Sequence, residues 1–290
     1  MKIKTPALKI GFVGQGYIGK NYADNFEMRG FDVVRYSLEP QHAINKKRLK
    51  ECDVVFIAVP TPTTLEGADI SIVSSALSLL GPGATAVIKS TIPPGTTVKL
   101  QSEHKKIRVF HSPEFLTSAT ARTDADMPSR NIIGIPVDSP ENKKRAAMII
   151  SVLPKAPFEL IVSSAESEFI KYCVNTFYYA KVVYMNILYD VAKELGMEWD
   201  QIKRALAADP WIGPMHIEPI HKTGRGAGGH CLIKDYAAFL KLSKDILKGY
   251  PQHLGVLKAI ERDNLKLLHS TGKDPEILKK VYSKRGSHRV

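Results

Sequence analysis

Short apolar runs alternate with amphipathic stretches through the first half of the chain, a pattern that predicts strands joined by helices. Leu8 to Val13, Asp32 to Tyr36, Asp53 to Val59, Thr85 to Lys89, Ile107 to Phe110 and Asn131 to Ile135 read as strands, most of them too uniformly apolar for a sheet with one wet face. Between them, Asn21, Tyr22, Phe26 and Met28 fall at helical spacing before Gly30, and Ile70 to Leu80 reads as a second helix. Strands and helices in this succession predict an open, mostly parallel, doubly wound α/β sheet. Pro154 to Pro157 is a candidate linker, and a further strand, Phe158 to Val162, follows it.

The texture changes at Ser164. Phe169, Ile170, Cys173, Val174, Phe177, Val182, Val183, Met185, Ile187, Leu188 and Val191 before Gly196 predict one long helix with apolar residues on more than one side. A small helical domain cannot cover such a rod alone, so the pattern predicts a homodimer packed across it. Helices are expected over Trp199 to Ala207, near Tyr236 to Leu247, and from His253 to His269, with a Pro-rich stretch at Trp211 to Pro214. The expected organisation is a dinucleotide-binding domain over 1–162, an all-α dimerisation domain with a long central helix over 163–270, and a basic tail over 271–290.

Candidate chemistry sits at the joints of this pattern. The first strand runs into Gly14-Gln15-Gly16-Tyr17-Ile18-Gly19 and then a helix, the strand, glycine turn and helix that bind a dinucleotide pyrophosphate at a helix N-terminus. The second strand ends at Ser37, with Glu39 two residues on. Glu39 lies at the distance where an acid meets the adenosine ribose, which favours NAD over NADP, although Arg35 and Ser37 sit beside it. Pro60, Thr91 and His111-Ser112-Pro113-Glu114 all follow strand ends, where ligands of such sheets bind. Lys171 and Asn175, four residues apart, share a face of the long helix.

In Gly224-Arg225-Gly226-Ala227-Gly228-Gly229-His230-Cys231-Leu232-Ile233-Lys234-Asp235, four glycines lead into a cysteine, a lysine and an aspartate. The glycines allow close approach to a bulky anion, and Cys231 falls at or just before a helix N-terminus, a setting that suits a nucleophile. Gly-rich loops before helices also occur with inert cysteines, and both readings stand at this level. His216, His221 and His230 with Cys231 have irregular spacing for a metal site, so none is expected, and Cys52 and Cys173 read as core fillers.

Composition narrows the setting. With 290 residues, 44% hydrophobic and 24% charged, the chain reads as globular. No apolar run is long enough to span a bilayer, Met1 to Lys4 opens no signal peptide, and three cysteines make no disulfide framework, so a cytoplasmic location away from membranes is expected. The net charge of +12 is scattered apart from Lys279, Lys280, Lys284, Arg285 and Arg289, and no nucleic-acid partner is expected.

Taken in order, Gly14-x-Gly16-Tyr17-Ile18-Gly19, Val59-Pro60-Thr61-Pro62, Ser90-Thr91-Ile92-Pro93-x-Gly95, Ser112-Pro113-Glu114-Phe115-Leu116, Lys171-x-x-x-Asn175 and Gly228-Gly229-x-Cys231-x-x-Lys234-Asp235 make the chain resemble the UDP-glucose/GDP-mannose dehydrogenases, most of all UDP-glucose 6-dehydrogenases. The resemblance implies a Rossmann-type NAD domain and a cytoplasmic enzyme of polysaccharide biosynthesis. It implies oxidation of a nucleotide sugar's C6 alcohol to a carboxylate in two hydride transfers.

On that resemblance Cys231 is the nucleophile, Asp235 and Thr91 hold a water, Lys171 and Asn175 stabilise oxyanions, and Glu114 is the base for thioester hydrolysis. The cofactor contacts it implies are Gly14, Gly16, Tyr17, Ile18, Gly19, Glu39, Pro60, Thr61, Thr91 and Lys234. Glu114, Phe115, Leu116, Lys171, Asn175, Gly226, Gly228, Gly229 and Cys231 are implied on the substrate, UDP-glucose in the first instance. Three departures are expected to matter: Ser118 and Trp211 stand where the family has glutamate and arginine, and the family's C-terminal nucleotide-binding domain has no counterpart in the chain as read. GDP-mannose or another nucleotide sugar, a two-electron β-hydroxyacid dehydrogenase-like activity, and a catalytically weakened NAD-binding protein are the alternatives.

Overall fold

A computed structural model describes residues 8–64, 67–117 and 119–282. They form two compact units: residues up to Thr61 together with Asp69–Lys171, and Pro62–Ala68 together with residues from Tyr172 on. The tail positions Lys284, Arg285 and Arg289, the opening Met1 to Lys4, and Ser118 lie outside the described residues.

In the first unit the chain runs β1 (Lys9–Val13), α1 (Tyr17–Met28), β2 (Asp32–Tyr36), α2 (Pro40–Ala43) and β3 (Val54–Ile57). After the hairpin β4 (Thr63–Thr64) and β5 (Gly67–Ala68), which belongs to the second unit, come α3 (Ser71–Leu77), β6 (Thr85–Ile88), α4 (Thr96–Glu103), β7 (Arg108–His111), α5 (Ala121–Asp126), β8 (Asn131–Ile135), α6 (Pro140–Val152) and β9 (Glu159–Ser163). Seven strands join in the order β2-β1-β3-β6-β7-β8-β9.

Their uniform apolarity is explained by two cores, one on each face. Alternate residues of one strand supply both: Val55 and Ile57 of β3 pack with Val13, Leu49 and Ile88, while Val54 and Phe56 pack with Ile10, Phe12, Phe26 and Phe110. The predicted doubly wound sheet is present, with one difference. β7 and β8 pair antiparallel through His111 and Gly134, so β8 and β9 run against the other five strands. Antiparallel neighbours are joined at one end, so the connection out of β7 starts beyond the C-terminal ends of the parallel strands.

Helix α7 (Ser164–Glu194) leaves this sheet and carries the chain into the second unit. Gly196 ends it in a left-handed turn, with φ +68 and its N–H on the Lys193 carbonyl. The helix bonds to the first unit at its start. The buried Glu168 carboxylate accepts from Gly95 N (2.5 Å), Thr97 N (2.7 Å) and Thr97 Oγ1 (2.6 Å), capping α4, and Ser167 Oγ lies 2.8 Å from His111 Nδ1.

The second unit adds α8 (Trp199–Ala208), the hairpin β10 (Ile220–His221) and β11 (Gly224–Arg225), α9 (Gly229–Ile246), α10 (Pro251–Ser270) and α11 (Pro275–Tyr282). Three expectations are corrected here. Helix α9 begins at Gly229, not near Tyr236, because Gly229 and His230 are tolerated in a first turn whose N–H groups have no intrahelical partner. Residues 275–282, expected within a solvated tail, form α11, whose Leu278 and Val281 pack with Ile233 and Leu268. Cys173, expected as a core filler, is exposed on α7, whereas Cys52 is buried.

His111 is fully buried, and burial, aided by the charges of Lys89 and Lys171, pushes its imidazole down to about 3. The folded state therefore favours the neutral ring. That stability is complete above the unfolded value near pH 6.5 and is lost as pH falls from there toward 3, at about 1.4 kcal/mol per pH unit. A His111→Gln variant is expected to show a shallower acid limb in urea denaturation followed between pH 7 and pH 4.

Candidate active site

On the first unit, the turn between β1 and α1 carries the glycine fingerprint in a geometry that requires it. A Cβ on Gly14, at φ +94, would stand 2.2 Å from the Ala58 carbonyl oxygen, and one on Gly19 would stand 1.8 Å from that of Gly14. A Cβ on Gly16 would meet nothing within 4 Å, so this residue faces open space. Gly16 caps α1 without a side-chain hydrogen bond, which leaves the first-turn amides to an anionic group. Tyr17 bonds the Thr117 carbonyl through its hydroxyl, tying this turn to the loop after β7. Glu39 is exposed before α2, with Gln41 Nε2 2.7 Å from its carboxylate.

Arg35 is not free to meet a ribose phosphate. Its guanidinium forks onto Glu27 (2.7 Å) and Asp24 (2.6 Å) of α1. The Ser37 hydroxyl, in turn, accepts from Glu39 N at 3.3 Å.

Strand ends fix the next group. Ser90 Oγ accepts from Val59 N (3.0 Å) and donates to Val59 O (2.7 Å), so Pro60 and Thr61 after β3 and Thr91 after β6 are held in register. Lys89, directly after β6, is buried. Its Nζ lies 3.2 Å from Glu114 Oε2, 3.4 Å from Ser112 Oγ and 4.4 Å from the Tyr22 ring centroid. The other Glu114 oxygen accepts from Phe115 N (2.7 Å) and Leu116 N (2.9 Å). Burial beside this carboxylate holds the Tyr22 hydroxyl well above the usual tyrosine range. The Phe115 ring has the Arg130 guanidinium at 3.8 Å and the Lys171 ammonium at 5.4 Å from its centroid.

On the second unit, Cys231 is exposed in the first turn of α9, at the positive end of the helix dipole. One turn on, Asp235 is buried, accepting from Asn175 Nδ2 of α7 at 2.5 Å and paired through its other oxygen with Lys234. The loop before α9 differs from the expected anion cradle. Cβ atoms on Gly224, Gly226 and Gly228 would meet Thr271, Asn264 and Asp274 at 2.4, 2.9 and 2.2 Å, so these glycines admit the chain's own side chains. Trp211 is 94% exposed, and Asp209 Oδ1 accepts from its N–H at 2.8 Å.

Two family models match the chain: the NAD binding domain of the UDP-glucose/GDP-mannose dehydrogenase family over residues 36–152, and the family's central domain over residues 165–266. The chain belongs to this family. It is 30% identical over 227 residues to a putative UDP-glucose 6-dehydrogenase, YtcA, of Bacillus subtilis, an alignment covering 72% of the chain and 51% of that protein. It is 28% identical over 267 residues to a Streptococcus pneumoniae UDP-glucose 6-dehydrogenase, covering 79% and 67%. The solved structure of a UDP-glucose dehydrogenase from Pyrobaculum islandicum matches with a TM-score of 0.77 at 26% identity, over 92% of the chain and 70% of that protein. The chain thus spans about half the length of the first of these relatives.

The residues present fit NAD. The match to the NAD binding domain begins at Tyr36, after the glycine fingerprint, so the fit of the pyrophosphate turn rests on its own geometry: blocked positions at Gly14 and Gly19, an open one at Gly16. An engaged Arg35 and the acid at Glu39 suit a ribose hydroxyl pair, not a phosphate. Among the described residues no helix is long and apolar enough to cross a membrane.

Sequence reasoning passed over Lys89. The one available signal was a lysine closing an otherwise apolar strand directly before the Ser90-Thr91 motif. Replacing Lys89 by Met leaves the buried Glu114 carboxylate without its counter-charge, and about 3–5 kcal/mol of stability is expected to be lost. The double variant Lys89→Met with Glu114→Gln is expected to recover most of it, as read by chemical denaturation.

Proposed function

We propose that the chain carries out the NAD-dependent oxidation of a nucleotide sugar's C6 alcohol to a carboxylate, with UDP-glucose going to UDP-glucuronate, in the cytoplasm and in support of polysaccharide synthesis. The observation that carries the reading is Cys231 in the first turn of α9, with a buried, doubly bonded Asp235 one turn further along the same helix. A two-electron β-hydroxyacid dehydrogenase has no use for a thiol in that place.

NAD, when bound, accepts hydride from the sugar carbon. In this reading Asp235 and Thr91 hold the water that takes the alcohol proton. The Asn175 amide and the Lys234 ammonium on the Asp235 carboxylate fix its orientation for that task. Cys231 adds its sulfur to the aldehyde carbon, so that the half-oxidised sugar stays bound as a thiohemiacetal. Lys171 and Asn175 offer positive charge and an N–H to the oxyanion. When the thiohemiacetal carbon gives its hydride to a second NAD it becomes a thioester, which water cleaves with Glu114 as base: the carbon–sulfur bond breaks and the thiolate returns. Lys89 and the two amides on Glu114 set where that carboxylate lies. Gly229 with Phe115 and Leu116 are the proposed sugar contacts, the space beside Gly226 and Gly228 being taken by Asn264 and Asp274, and Trp211 gives the site an exposed indole where the family pattern has a cation.

A homodimer through α7 belongs to the same proposal. Phe177, Tyr184, Ile187 and Val191 stand exposed at intervals of seven, three and four residues, one stripe of the helix. Ile187→Glu is expected to convert dimer to monomer in light scattering after gel filtration.

The decisive measurement is stoichiometry. With NAD and a panel of nucleotide sugars, two NADH per carboxylate product are expected, and Cys231→Ala is expected to lose at least about a thousandfold in kcat. One NADH per turnover, or a fully active Cys231→Ala variant, would refute the four-electron reading.

A further inference from the structure

The backbone of Gly224–Gly229 is held by the short turn Thr271–Asp274 and by Asn264 of α10, while the Arg225 side chain bonds Asn186 and Asp190 of α7. Thr271 Oγ1 accepts from Arg225 N at 3.1 Å, and the buried Lys273 ammonium donates to Gly224 O (3.2 Å) and Gly226 O (2.8 Å). Asn264 of α10 bonds Ala227 both ways, accepting from its N–H (2.6 Å) and donating to its carbonyl (3.1 Å). Asp274 Oδ2 accepts from Gly229 N at 2.7 Å, which makes it the cap of α9 in place of a side chain at Gly228. Asp274 does so from the left-handed region, at φ +53, where a side chain is costly unless something holds it. The bond to Gly229 and the packing of α11 on α9 through Leu278, Val281 and Ile233 are what hold it.

We propose that Lys273 and Asp274 are positioning residues for Cys231, setting the backbone of Gly224–Gly229 and the first turn of α9 so that the thiol is presented in one geometry. Neither belongs to the matched family domains, which end at residue 266, and neither is placed on substrate or cofactor. The proposal rests on the reading of Cys231 as the nucleophile. Its physical content is narrow: a lost cap frees the N-terminal turn that carries the sulfur, and a reacting atom displaced by about 1 Å costs about a hundredfold in rate at the limit.

The left-handed backbone supplies a clean variant. Asp274→Gly deletes the carboxylate while suiting φ +53, and Asp274→Asn keeps an acceptor oxygen and also tolerates that region. With the full chain, alkylation of Cys231 by iodoacetamide, read by mass spectrometry of its peptide, is expected to be at least about threefold faster in Asp274→Gly than in wild type. The kcat is expected to fall about tenfold or more, with KM for NAD unchanged, and Asp274→Asn is expected to lie near wild type in both. Asp274→Gly within twofold of wild type in alkylation, or faster alkylation with an unchanged kcat, overturns the proposal. Should wild type turn over no nucleotide sugar, the functional reading fails and the alkylation comparison alone decides this one. A loss of folding in Asp274→Gly is met by Lys273→Met, for which the same changes are expected and the same outcomes overturn.

Discussion

A lysine and a glutamate buried against each other set much of what the first unit can do. Lys89 directly follows β6 and Glu114 lies three residues beyond the neighbouring parallel strand β7, and both side chains are buried. Each charge is tolerable there only because the other is present and because the remaining donors and acceptors are used: Ser112 and the Tyr22 face on the lysine, two backbone amides on the glutamate. Satisfying that pair determines the path of the loop from Ser112 to Leu116. Phe115, next in line, then lies where Arg130 and Lys171 can both approach its ring. Three cations from β6, the start of β8 and α7 thus fix one loop beyond the sheet.

The reversal of β8 belongs to the same local logic. A right-handed crossover helix would have carried the chain to the far end of the sheet and returned β8 parallel to its neighbour. Instead the chain after β7 spends its length on the loop and on α5, and re-enters the sheet through the single pairing of His111 with Gly134. The connection starts at the end of the sheet where the glycine turn lies, and Tyr17 reaches it through the Thr117 carbonyl, while α5 packs along α1 through Asp126 on Asn25 and Arg122 on Asp24.

Features that depend on residue type at a fixed spacing could be read before any coordinates. The glycine turn, the seven strand segments of the sheet, the 31-residue α7 and the place of Cys231 at the start of a helix all came from local pattern, because each is enforced by local sterics or periodicity. What the sequence did not disclose is set by partners distant along the chain. A lysine at the end of an apolar strand looks like a solvated terminus until Glu114 is seen facing it. Cys173 has the hydropathy of a core residue but falls on the face of α7 that the chain leaves exposed. The basic composition after Thr271 suggested a tail, but residues 275–282 carry Ile277, Leu278, Val281 and Tyr282 at helical spacing and pack as α11.

The chain's two glycine-rich loops show that composition alone does not say what glycine is for. Both precede a helix N-terminus, and both suggest a cradle for an anion. At Gly16 the space where a Cβ would stand is empty, and the helix beyond has no side-chain cap. That is the arrangement a pyrophosphate needs. At Gly224, Gly226 and Gly228 the same space is filled by Thr271, Asn264 and Asp274, and Asp274 already gives the first amide of α9 a carboxylate. A helix end that holds one anion repels a second, so charge recognition by the second loop falls to what lies beyond Gly228. There Gly229 has open space beside it, and Cys231 sits two residues further on. The first loop is built to admit a ligand, and the second is built chiefly to hold still the residue that follows it.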